Sequence, residues 1–445
     1  MNVFSTSKKS GEVNMGGAGA AVSAPASTRR KELLKAIGPG ILMAGATIGG
    51  SHLVASTQAG AKFGWSMLGV LVAVNLFKYP FFLYGERYTA ATGETILHGF
   101  RRLGMPFLIA FFVLNLINAF LNIAGVSMIT ASLMLNLGLG RFDVSIPELT
   151  TIVAALCAAI IIGGRYQLLD KTSKIVMTLL VVSTLVAMVA ATLNPAEKLP
   201  GFVSDSPWAL TSLGFVVVFM GWMPAPIEVA TWPSMWMQVR EREMGHRATM
   251  EQAMFDFHLG YLLSTVTAIF FLALGAAVIH GTGKVFSMES SAQFSNQLID
   301  LYTESIGSWS YWVIAIAAFT TMFSTVLTSV DAYPRSLATC VVLWEGKDEP
   351  ARLRKIHTWW IFAGVVATYL ITKFFLQSLG RMLEVAMVVS FLTSPVFAYI
   401  HFKAMRADWV DQRYRPGPLL SALSWAGIIF FVAFSVLFCW WFFMA

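Results

Sequence analysis

Apolar stretches long enough to cross a lipid bilayer fill almost the whole chain. They lie near 36–61, 65–93, 105–134, 147–163, 172–193, 208–237, 250–281, 308–343, 357–376, 381–402 and 417–444. A helix needs ~20 apolar residues to span a hydrocarbon core ~30 Å thick, and every backbone group inside it must be satisfied within the protein. The sequence therefore reads as an all-α polytopic membrane protein with about eleven transmembrane helices. Composition agrees: 12% of residues are charged, against roughly a quarter in soluble domains.

The net charge of +7 does not point to nucleic acid, because the basic residues sit in short connections between apolar segments. Alternate connections hold Arg87/Arg101/Arg102, Arg165/Lys171/Lys174, Arg240/Arg242/Arg247, Lys347/Arg352/Arg354/Lys355 and Lys403/Arg406/Arg413/Arg415. The opposite connections hold about one each: Lys62, Arg141, Lys198, Lys284 and Arg381. The positive-inside rule places the first set and the N-terminus in the cytoplasm, and an odd helix count places the C-terminus outside. With no apolar run near the start, no cleavable signal is expected. The membrane expected is a bacterial inner membrane. Residues 1–32 are Ser, Gly and Ala rich and read as a disordered basic tail. Cys157, Cys340 and Cys439 are far apart, each in an apolar run, so neither a disulfide framework nor a thiolate metal site is expected.

Two segments are interrupted. Segment 1 carries Gly49-Gly50-Ser51, and segment 6 carries Met223-Pro224-Ala225-Pro226. Segments 1–5 (33–200) and 6–10 (201–410) pair as two halves of opposite orientation, with the last helix in 411–445. Breaks at matching positions of inverted halves mark a transporter site near the midplane, where broken helices offer unpaired N–H and carbonyl groups.

Several intramembrane residues carry chemistry. His52 sits beside the first break, as a ligand or proton acceptor, or else as a hydrogen-bonded packing residue. Met220 and Met223 sit at the second break, either donating sulfur or simply packing. Lys78, Glu228, Asp256 and His258 are candidates for an ion or proton pathway. Lys78 is expected to pair with Asp256, with Glu228 as the other partner, or to stand in for a coupling cation. Asp331 and Arg335, four residues apart, are expected to form an ion pair on one helix face. Glu86, Arg87 and Glu384 are expected at interfaces. The aromatic run Trp440–Phe443 reads as an interfacial belt. No phosphate loop, zinc motif or catalytic triad is present, so neither an enzyme nor a cofactor is expected.

The stretch from Gly38-Pro39-Gly40 to Ala59-Gly60-Ala61-Lys62-Phe63-Gly64-Trp65, then Thr92-Gly93-Glu94, and Met223-Pro224 in a broken segment 6, resembles the Nramp family of divalent-metal transporters. The resemblance implies the leucine-transporter fold, with 5+5 inverted repeats and helices 1 and 6 lining the site. It also exposes departures. The family breaks helix 1 at Asp-Pro-Gly-Asn, and those positions here are Gly49, Gly50, Ser51 and His52. The family's Met-Pro-His-Asn in helix 6 is here Met223-Pro224-Ala225-Pro226. Acidic helix-3 positions align with Asn122 and Gly125, and a helix-10 Gln aligns with Met387.

A dehydrated divalent cation needs anionic or strongly dipolar ligands, and this break has lost its carboxylate. His52 with Met223 would suit a soft transition metal. Glycine-rich breaks equally suit an anionic group. The expected site is Gly49, Gly50, Ser51, His52, Met220 and Met223, completed by Asn122 and Met387. The first expectation is a secondary transporter of a divalent or transition-metal cation, partnered by lipid and its cargo. The second is a transporter of a small organic solute with an anionic group. The third is a non-transporting membrane sensor, which would be expected to carry a signalling domain beyond the bundle. Restoring the carboxylate as Gly49→Asp is expected to introduce divalent-cation binding.

Overall fold

A computed structural model describes residues 38–138, 143–163, 166–244, 247–347 and 349–444. The expected basic tail, 1–32, lies outside them. Among the described residues every regular element is helical. Helix 1 is split into α1 (Pro39–Thr47), a π-helical turn (Ser51–Ser56) and α2 (Thr57–Phe63). There follow α3 (Leu68–Thr92), α4 (Ile96–Leu103), α5 (Met105–Asn136), α6 (Ile146–Ile162) and α7 (Tyr166–Leu193). Helix 6 is split into α8 (Leu213–Trp222) and α9 (Thr231–Met244). The remainder are α10 (Met250–Val278), α11 (Ser291–Ile306), α12 (Tyr311–Glu345), α13 (Pro350–Leu370), α14 (Leu379–Met405) and α15 (Pro418–Met444).

Each of the eleven expected segments holds helix. Among the described residues eight helical runs are long and apolar enough to cross a membrane. Segment 1 is broken into short pieces, and segments 4 and 5 hold the shorter apolar helices Ile146–Ile162 and Val181–Leu193. The sequence reading did not include α4 and α11, two short helices in the connections after α3 and α10. Their ends are visible in the sequence: Ser290 caps α11 by accepting from Gln293 N. Elsewhere Ser145 with Glu148, and Thr249 with Gln252, form capping boxes that start α6 and α10.

Small residues decide how closely helix 1 approaches α10. A Cβ on Gly40 would stand 2.3 Å from the Asp256 carbonyl oxygen, and one on Gly275 would stand 2.2 Å from that of Thr57. Only glycine admits backbones at that separation, which is how membrane helices gain contact when lipid competes equally for apolar surface. The broken helix 1 is thus seated along α10 at both ends.

A second seam is polar. Asn115, Asn118 and Asn122 share one face of α5. Asn115 donates to Ser336 Oγ of α12 (2.9 Å), Asn118 to Thr393 Oγ1 of α14 (3.0 Å), and Asn122 to Ser390 Oγ of α14 (3.3 Å). These bonds fix α5, α12 and α14 around the centre, while α13 and α15 keep most of their apolar surface outward.

Gly275→Val should lower the midpoint of thermal unfolding by about 1–3 °C, since overpacking costs about 1–3 kcal/mol. Thermal-shift fluorescence in detergent reads it directly. An unchanged midpoint would contradict the close seat of α2 on α10.

Candidate functional site

The chain leaves helical geometry at Ile48 (φ −76°, ψ 73°), where Ile48 N still donates to Ala44 O and Gly49 N turns back to Thr47 O. Helix 6 ends at Met223 (ψ 122°) and passes through Pro224-Ala225-Pro226 before a 3₁₀ turn at Ile227–Ala230 leads into α9. The two interruptions face each other across a cavity of about 40 Å³. Thr47, Gly50 and Ser51 line it from helix 1, Trp222 and Pro224–Pro226 from helix 6, Asn122 from α5, and Thr325, Ser329 and Tyr333 from α12.

Its polar side chains are neutral: hydroxyls, the Asn122 amide, and the indoles of Trp222 and Trp232, whose Nε1 atoms have no partner among the described residues. Asn122 engages its amide nitrogen with Asn118 O (2.8 Å) and Ser390 Oγ, which leaves Oδ1 as its acceptor. Thr325 donates to Thr321 O (3.2 Å) and Tyr333 donates to Glu228 Oε1 (3.1 Å), so both oxygens retain lone pairs. The Ser329 hydroxyl has no protein hydrogen bond among the described residues. No group of three or more His, Cys, Asp or Glu side chains converges among the described residues. The cavity thus offers hydroxyls, an amide and indole N–H groups, with no charged side chain in its lining.

The structure brings Gly50, Ser51 and Asn122 of the expected site to this cavity and places the others elsewhere. Gly49 lies against α12, where a Cβ would stand 2.6 Å from Thr325 Oγ1. His52 turns from the cavity toward α10: Nε2 contacts Ser264 O (2.9 Å), Nδ1 contacts Ser51 Oγ (2.7 Å), and the ring meets Phe271 edge-on. The packing reading of His52 fits this geometry, because both ring nitrogens are engaged. Met220 and Met223 are buried beside the break without lining the cavity. Met387 lines a separate groove between α8 and α14 and touches helix 6 through its carbonyl, which would lie 2.0 Å from a Cβ on Gly221.

The charged residues require two corrections. The expected Lys78–Asp256 pair is absent. Lys78 of α3 gives its ammonium protons to the carbonyls of Met220 (2.7 Å), Gly221 (3.0 Å) and Ala225 (2.8 Å). Asp256 of α10 instead accepts from Gly38 N (3.0 Å) and Gly40 N (2.7 Å) at the start of α1. Each charge sits at the helix end whose dipole it complements, which a pairwise charge argument misses. Glu86 is not interfacial: it is 1% exposed, and its Oε1 has no partner among the described residues. His258 is exposed and stacks on Tyr79, contacting its hydroxyl at 2.8 Å. Asp331 and Arg335 form the expected ion pair, joined by His357 and the Trp236 indole. Thr325, Ser329 and Tyr333 were missed, although their spacing of four on segment 8 places polar groups on a single helix face.

A model of the Nramp family, described as natural resistance-associated macrophage protein-like, matches residues 40–441. The chain belongs to the Nramp family. An uncharacterised protein of Pasteurella multocida (strain Pm70) is 37% identical over 412 residues, 91% of each chain. A histidine-to-alanine mutant of the manganese transporter of Eremococcus coleocola superposes with a TM-score of 0.67 at 14% identity, covering 94% of this chain and 88% of that one. A glutamate-to-glutamine mutant of the same transporter gives 0.66 at 16% over the same shares. At those identities the likeness establishes the fold, of the leucine-transporter type with helices 1 and 6 broken. This Nramp chain therefore keeps the family's scaffold around a helix-1 break that carries glycine where a carboxylate is expected.

The Gly49 contact revises one expectation. Gly49→Asp alone should destabilise the protein, because its Cβ meets Thr325 before its carboxylate reaches the cavity. Gly49→Asp with Thr325→Ala should regain part of the lost thermal midpoint. Equal destabilisation in the single and double variants would contradict the contact.

Proposed function

We propose that this Nramp-family protein is a secondary transporter that moves a divalent transition-metal cation by alternating access, binding it between the helix-1 and helix-6 breaks. One observation carries the reading: the two breaks meet at a cavity of about 40 Å³ lined by converging oxygens. A cavity holds a water once it offers about 10–15 Å³ to a water-sized probe, so the space admits an ion with its remaining waters. Membership of the Nramp family, and the fold shared with a manganese transporter, set the organic-solute reading below the metal one. The sensor reading gains no support from a cavity placed between two broken helices.

The side-chain oxygens supporting this role are Asn122 Oδ1 and the hydroxyls of Thr325, Ser329, Tyr333 and Ser51. Neutral oxygens bind a cation less tightly than carboxylates do. A carboxylate, Glu228, is joined to the site through the Tyr333 hydroxyl. A cation entering the cavity is thus balanced at one remove. The coupling route also differs from the family's, since Ala225 stands where the helix-6 histidine would be.

The proposed setting is a bacterial inner membrane with the N-terminus in the cytoplasm and the C-terminus outside, on the asymmetry of basic connections. A C-terminal alkaline phosphatase fusion should be active and a C-terminal green fluorescent protein fusion dark. The reverse pattern would invert the topology.

The transport claim is tested with purified protein in liposomes holding a Mn²⁺-quenched dye, under a valinomycin-set potential. Saturable quenching above protein-free liposomes is expected. Ser329→Ala and Asn122→Ala should each slow it about 3- to 10-fold at low Mn²⁺, since one neutral contact contributes about 0.5–1.5 kcal/mol. Absence of quenching by folded protein would move the reading to an organic solute.

A further inference from the structure

We propose that the carbonyls of Met220, Gly221 and Ala225 form a monovalent-cation cage that the protein fills permanently with its own Lys78 ammonium, so that the helix-6 break requires no bound Na⁺ or K⁺. This goes beyond the transport reading and does not depend on which cargo is carried.

The cage follows from the sequence of the break. The carbonyl of residue 220 would pair with the N–H of residue 224 in a continuous helix, but Pro224 has none. The N–H that would reach the Ala225 carbonyl, that of Val229, goes instead to Pro226 O (3.2 Å). Gly221 O lies in the last turn of α8, where carbonyls have no intrahelical partner. Three orphaned carbonyls therefore converge on one point, and partial negative charge from the α8 dipole accumulates there.

Bilayer proteins meet such a point with a cation. Rings of backbone carbonyls replace the hydration shell of a monovalent ion, and unwound half-helix ends hold coupling ions in transporters of this architecture. Here α3 delivers the cation covalently. Lys78 is 0% exposed, and its distances of 2.7, 3.0 and 2.8 Å account for all three ammonium protons. No carboxylate contacts it among the described residues. Glu228, which interacts with Lys78 electrostatically, directs Oε1 to Tyr333 and has no partner for Oε2 among the described residues. The carbonyls are thus the ligands, and Glu228 balances charge from a distance. A pure ion pair would have drawn the ammonium onto the carboxylate.

The consequence is functional. Trp222, Pro224 and Ala225, which belong to this stretch, also line the transport cavity. A tethered cation keeps α8 and α9 joined in every state of the cycle, whereas a dissociable ion would make the joint depend on external Na⁺ or K⁺.

The test removes the tether and offers free ions. Purified Lys78→Ala is compared with wild type by thermal shift in choline chloride, NaCl, KCl and ethylammonium chloride at equal ionic strength. Wild type should melt at the same temperature in all four. Lys78→Ala should melt lower in choline and gain about 2–3 °C, saturably, from at least one of Na⁺, K⁺ or ethylammonium. A folded Lys78→Ala that no cation stabilises over choline would overturn the proposal. Should that variant not fold, ²²Na⁺ binding to wild-type protein decides. Saturable binding competed by K⁺ would overturn the proposal, and its absence supports a filled cage. Because these readouts need no cargo, their failure is distinct from failure of Mn²⁺ uptake.

Discussion

A helix interrupted inside a membrane bundle leaves carbonyls and N–H groups that no water reaches, and everything at the centre of this protein depends on how those groups are satisfied. Lys78 takes the carbonyl end of α8, and Asp256 takes the N–H end of α1. The charges come from α3 and α10, the helices against which the broken pair packs. Each unmade backbone bond would cost a few kcal/mol in hydrocarbon, so Lys78 satisfies the carbonyls freed by the helix-6 break, while Asp256 holds the start of α1 ahead of the helix-1 break. The glycine contacts along α10 then set where the broken ends lie.

Once the breaks are held, the cavity between them inherits its chemistry from three further helices. The asparagine face of α5 ties to α12 and α14, and α12 turns Thr325, Ser329 and Tyr333 inward. Gly50 admits the Trp222 ring, which a Cβ would meet at 2.7 Å. The result is a small cavity lined by neutral polar groups. Its formal charges stand outside it: Lys78 on the helix-6 carbonyls and Glu228 behind Tyr333. This differs from a carboxylate placed directly on the cargo, and predicts weaker, more dipolar binding for an ion of the same charge.

Much of this was legible in the sequence. The apolar segments and the two interruptions at 49–51 and 223–226 carry the architecture, because bilayer thickness and backbone satisfaction leave few alternatives. The site was legible in part. Gly50, Ser51 and Asn122 reach the cavity as expected, but His52 does not: the next residue on a helix points about 100° away, and here that direction is α10. The partners of Lys78 could not be read, because its acceptors are main-chain carbonyls that leave no mark on residue identity. Pairing it with Asp256 assumed that opposite charges seek each other, when each had a helix end to complement. The polar stripe at 325, 329 and 333 was visible in the sequence and went unread beside the nearer Asp331–Arg335 pair. Glu86 looked interfacial because it lies near the cytoplasmic end of segment 2, yet its side chain is buried.

The central claim is that a cation sits between the two breaks on neutral oxygens. Crystals of the protein soaked in Mn²⁺, with anomalous diffraction recorded at the manganese edge, test it most directly. The account predicts a single strong intramembrane peak in the cavity, bounded by Asn122 Oδ1 and the hydroxyls of Ser329 and Thr325, and lost in Asn122→Ala/Ser329→Ala crystals. A well-occupied peak elsewhere in the bundle, or an empty cavity at saturating Mn²⁺, would contradict it.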